Sequence, residues 1–87
     1  MTDPFSSPVK RSITIAGHPT SVSLESVFWL ALEEAARAQS LPLSALVARI
    51  DADRIASPAP PNLASALRVW LFNRATNGSS RTHLEPL

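Results

Sequence analysis

The stretch Thr20-Ser21-Val22-Ser23-Leu24-Glu25 leads without a loop into Ser26-Val27-Phe28-Trp29-Leu30-Ala31-Leu32-Glu33-Glu34-Ala35-Ala36, and this junction constrains the fold more than anything else in the chain. Val22 and Leu24 alternate with Ser21 and Ser23 at the period of a strand, and the apolar spacing then changes to that of a helix. A strand this short is not stable alone. A two-stranded ribbon with one buried face needs a helix layer or a second chain to cover it. The pattern therefore predicts that folding is coupled to association, with a homodimer as the simplest form.

Upstream, Arg11-Ser12-Ile13-Thr14-Ile15 also alternates, and Ala16-Gly17-His18-Pro19 supplies turn residues between the two runs. A hairpin with a four-residue loop over 16–19 would set Ile15 opposite Thr20 and Ile13 opposite Val22, with the branched apolar residues sharing one face. Ser12, Thr14, Ser21 and Ser23 then share the other, which is small, polar and rich in hydroxyls. Lys10 and Arg11 stand at the head of the strand region with no acid after them until Glu25, so this third of the chain is locally basic although the formal net charge is only +1.

Downstream, a first helix is expected from Glu25 or Ser26 to about Gln39, with Leu24, Phe28, Ala31, Leu32 and Ala35 as its core stripe. Trp29 and Leu30 fall off that stripe and call for a second cover. Ser40-Leu41-Pro42 breaks the helix, and Leu43, Leu46, Val47 and Ile50 recur at helical spacing in a second one reaching about Arg54. Ala56-Ser57-Pro58-Ala59-Pro60-Pro61 reads as a stiff extended linker. Asn62 then caps a third helix whose Leu63, Ala66, Leu67, Trp70 and Leu71 form a stripe expected to pack on Trp29 and Leu30. The organisation is an amino-terminal arm over residues 1–9, a core over 10–55, the linker over 56–61, a helix over 62–76 and a disordered tail over 77–87. The fold class is mainly α with a short β-hairpin.

With 87 residues and no cysteine, the chain has neither a disulfide framework nor a thiolate metal site, and apolar burial must hold it together. Asp3 and two prolines in the first nine residues do not make a signal peptide, and the longest apolar runs are too short to cross a bilayer, which together suggest a cytoplasmic protein. No nucleophile, base and orienting group come together, so no catalytic residue, cofactor or enzyme activity is expected. His18 reads as a turn residue, and with His83 in the tail it makes no metal site. Glu33 and Glu34 read as a solvated helix edge, and Trp29 and Trp70 as core or interface anchors.

The order of strand, helix, short break and helix over Thr20–Arg54 resembles the ribbon-helix-helix DNA-binding proteins. Arg11–His18, Thr20–Glu25, Phe28-Trp29, Leu43–Val47 and Asn62–Arg68 together look like a small bacterial subgroup of that family, with an added strand and a third helix. The resemblance implies an intertwined homodimer whose antiparallel ribbon enters the DNA major groove, acting in transcription regulation. Carried onto this sequence, the DNA-contacting set is Ser21 and Ser23 on the ribbon, with Ser12 and Thr14 beside them on the same face. Leu43 and Ser44, with Ala45, stand at the phosphate-binding start of the second helix, and Lys10 and Arg11 add backbone contacts. The dimer interface is expected to include Val22, Leu24, Phe28, Leu46, Val47 and Ile50. An alternative is a protein-interaction module or accessory subunit that docks a partner through Trp29, Leu30 and the third helix.

Overall fold

Two seven-residue strands, β1 (Val9–Ile15) and β2 (His18–Leu24), pair antiparallel as a hairpin, and three helices follow: α1 (Ser26–Ala38), α2 (Leu43–Ile55) and α3 (Leu63–Ser80). The computed structural model describes Phe5 and residues 7–80, without the side chains of residues 78–80. Most of the expected amino-terminal arm and the tail from residue 81 therefore lie outside the described residues. Within them, β1 starts at Val9, inside the span read as arm, and α3 runs through residues 77–80, past the expected helix end.

The hairpin turns tighter than the four-residue loop expected from sequence. Only Ala16 and Gly17 form the turn, both at positive φ (52° and 82°), while His18 and Pro19 are the first residues of β2. Two consecutive left-handed residues make the type of turn whose twist matches the flanking strands. The register is accordingly Ile15 opposite His18, Ile13 opposite Thr20 and Arg11 opposite Val22, two residues away from the expected pairing. A slip of two keeps every side chain on its predicted face, because the strand period is two. Gly17 adopts its φ without penalty, whereas Ala16 carries left-handed strain. Ala16→Asn, which creates the residue pair most favoured in such turns, should therefore raise stability by about 1 kcal/mol. Thermal melting checks this, and an unchanged or lower midpoint would contradict the turn geometry.

Ile13, Val22 and Leu24 point from the hairpin into one apolar core with Trp29, Leu32, Ala35 and Ala36 of α1, Leu46, Val47 and Ile50 of α2, and Leu67 and Leu71 of α3. Leu24, Leu32, Leu46, Val47 and Leu67 are wholly buried. Each such side chain contributes roughly 1.5–3 kcal/mol of apolar burial. A Schellman motif ends α1, with Ser40 at φ 56°, its amide on the Arg37 carbonyl and the Leu41 amide on that of Ala36. The Asn62 side chain accepts from the Ser65 amide at 2.8 Å, capping α3 as its sequence position suggested.

Two expectations about packing are corrected. Val22, Leu24, Leu46, Val47 and Ile50, assigned from sequence to an interface between chains, are 0–4 % exposed within this single chain, and Phe28 is half-buried against the same core. β1 and α3 supply the cover that a ribbon and two helices lack. Trp29 and Leu30 do not form the seat of α3. Trp29 is buried with β1, donating from Nε1 to the Val9 carbonyl at 2.8 Å, and Leu30 is 56 % exposed. Helix α3 packs mainly on α2 and to an equal, smaller extent on β2 and α1, whose start it meets through Arg68.

Arg68 reaches Glu25, the residue preceding α1, with Nε at 3.2 Å and Nη2 at 3.0 Å from one carboxylate oxygen, and its guanidinium lies 5.6 Å from the Phe28 ring centroid. A hydrogen bond from the Glu25 backbone, followed by the one from Arg68, holds the Glu25 carboxyl below its ordinary value. A lowered folded-state pKa contributes stability above the ordinary carboxylate range, which is lost as pH falls through the folded value. Glu25→Gln should thus flatten the acid limb of urea-unfolding midpoints measured between neutral pH and pH 3. Parallel curves for the two proteins would refute the linkage.

Candidate nucleic-acid interface

Alternation along the hairpin separates the side chains that can meet another molecule from those that build the core. On the outward face Lys10 stands opposite Ser23, Ser12 opposite Ser21, and Thr14 opposite Pro19, all exposed. The face therefore carries two facing rows of short hydroxyl side chains, one cation and no acid. Hydroxyls donate and accept, so they can contact phosphate oxygens or base edges while discriminating little between bases. Lys10 adds the charge that a polyanion requires.

Arg11 does not belong to this face. It shares the inner face with Ile13, its guanidinium 4.7 Å from the Trp29 ring centroid and its Nη1 3.0 Å from Glu33 Oε2. The stacked, paired guanidinium clamps β1 onto α1, and sequence reasoning assigned it to nucleic acid on charge alone. Glu33, read as a solvated edge, is the other half of that clamp. The strand parity already placed Arg11 with the core residues.

Pairing also decides which backbone groups stay open. Ile15 and His18 flank a two-residue turn as a hydrogen-bonded pair, so the ladder bonds of β2 fall on the even-numbered residues. The amides and carbonyls of Ser21 and Ser23 point to the far edge of β2, and Pro19 presents no N–H there. This edge lies beside the hydroxyl rows.

At the start of α2, Pro42 occupies the N-cap with no side-chain cap. The Pro42 carbonyl accepts from the Ala45 and Leu46 amides, leaving the Leu43 and Ser44 amides as the open donors of the first turn. Leu43 packs half-buried against the core, and Ser44 is exposed. Among the described residues no group of His, Asp and Glu side chains is placed to hold a metal ion, and no helix is long and apolar enough to cross a membrane.

The sequence model of the family described as ribbon-helix-helix domain matches residues 8–75. Among solved structures, an uncharacterized protein from Bordetella pertussis Tohama I is similar, with 30 % sequence identity and a TM-score of 0.72 over 86 % of this chain. The match spans 61 % of that protein, so the chain corresponds to about three fifths of it. No curated protein matches the chain.

Proposed function

The chain belongs to the ribbon-helix-helix domain family, whose members are generally DNA-binding transcription regulators, and from that premise we propose that it binds DNA as a homodimer through the outward face of its hairpin. The observation that carries this reading is the exposed, acid-free set of Lys10, Ser12, Thr14, Ser21 and Ser23 on one face of the only sheet among the described residues. A two-fold axis through Val22 would pair Ser21 with Ser23 of a second copy across the open edge of β2, extending the hairpin into a four-stranded ribbon. Both hydroxyl rows then face the same way in both copies, and the helices lie behind. The open Leu43 and Ser44 amides, with the Ser44 hydroxyl, suit a phosphate at the start of α2.

Affinity on this reading is mostly electrostatic and weakly sequence-selective. Lys10→Ala should weaken binding to every duplex and lower the dependence on salt by about one phosphate contact per copy. Fluorescence anisotropy at two salt concentrations measures it. An unchanged salt slope would remove Lys10 from the interface. The second reading, an accessory module that docks a protein, is favoured by exposed Leu30 on α1 and by Val69 and Phe72 on α3. It predicts no DNA binding in the same titration.

A further inference from the structure

Lys10, the one cation of the outward face, is the second residue of β1, at the open end of the hairpin where strands fray. Beyond β1 no further strand among the described residues supports it. A lysine on a loose strand end must give up backbone and side-chain freedom to hold a phosphate, and its contact then adds little affinity. Lys10 takes part in none of the ion pairs among the described residues, so its ammonium is open to an anion.

Two contacts hold this strand end, and both converge on Trp29. The indole Nε1 donates at 2.8 Å to the Val9 carbonyl, which belongs to the peptide bond joining Val9 to Lys10. On the other side of Lys10, the Arg11 guanidinium stacks 4.7 Å from the centroid of the same ring and reaches Glu33 Oε2 at 3.0 Å. The Arg11 and Glu33 side chains are each more than a third exposed, so their ion pair alone is weak, and the buried indole supplies most of the hold. Lys10 is thus bracketed by two anchored neighbours, while strand alternation sends its own side chain to the exposed face.

We infer that Trp29 is a positioning residue for DNA binding, which acts through the Val9 carbonyl and the Arg11 guanidinium to hold β1 so that Lys10 meets a phosphate. This rests on the reading of the hydroxyl face as the DNA contact. It adds that a core side chain, 4 % exposed and unable to touch DNA, sets affinity through Lys10 alone.

Fluorescence anisotropy of the full chain with a random-sequence duplex at two salt concentrations tests the inference. Trp29→Phe removes the Nε1 donor and part of the stacking surface without changing the charge. In the folded variant, binding should weaken several-fold and the salt slope should fall to that of Lys10→Ala. Made in a Lys10→Ala background, the same substitution should cause no further loss, whereas a merely structural effect would act equally in both backgrounds. Glu33→Ala provides a second variant that leaves the core intact. Removal of an acid favours DNA binding in general, so loosening of the clamp should show as less tightening in the parent than in the Lys10→Ala background. If Trp29→Phe and Glu33→Ala act the same with and without Lys10, the inference is overturned and the DNA reading stands. A parent that fails to bind DNA at low salt would overturn both.

Discussion

Leu67→Ala is expected to destabilise the domain by about 2–5 kcal/mol, because a wholly buried side chain where α3 meets the rest of the core would leave a cavity. For a domain of this size that is a large part of the total stability. Deleting residues 62–87 should do more. It removes Leu67 and Leu71 from the core, exposes the apolar faces of α2 and β2, and strands Glu25 without Arg68. The truncated chain should be largely unfolded or insoluble at 25 °C. Chemical denaturation of both variants measures the effect, and a truncated chain with the parent's unfolding midpoint would show that α3 is an appendage to the core.

Ser21→Glu carries the largest expected effect on function. Ser21 lies on the outward face opposite Ser12 and makes no core contact, so its replacement should leave melting nearly unchanged. A carboxylate there faces the phosphate backbone from the middle of the proposed ribbon, and its repulsion in each copy should abolish DNA binding at moderate salt. Binding retained within twofold of the parent, on a variant shown to be folded, would place the DNA contact elsewhere.

The element order and the two faces of the hairpin were legible in the sequence because both follow from periodicity, which survives errors of register. The turn was not, since Gly17 marks a turn without fixing whether His18 and Pro19 lie inside it. Arg11 was legible in principle: its parity with Ile13 puts it on the inner face, and Trp29 and Glu33 hold it there. Trp29 itself falls off the helix-facing stripe of α1 because β1 covers it from another direction, and a helical period cannot reveal that. The same cover explains Val22, Leu24 and Leu46. Counting a ribbon and two helices leaves them needing a second chain, whereas β1 and α3 bury them within one. Residues 77–80 read as tail because Asn77 and Gly78 are breakers by composition, yet the backbone hydrogen bonding of α3 runs on through them.

The central claim is that the acid-free hydroxyl face of the hairpin binds DNA, and titration of the parent protein against a random-sequence duplex at low salt tests it most directly. Saturable binding is expected that weakens steeply as salt rises, is reduced by Lys10→Ala and is lost in Ser21→Glu. Absence of binding at low salt, where non-specific affinity is greatest, would contradict it.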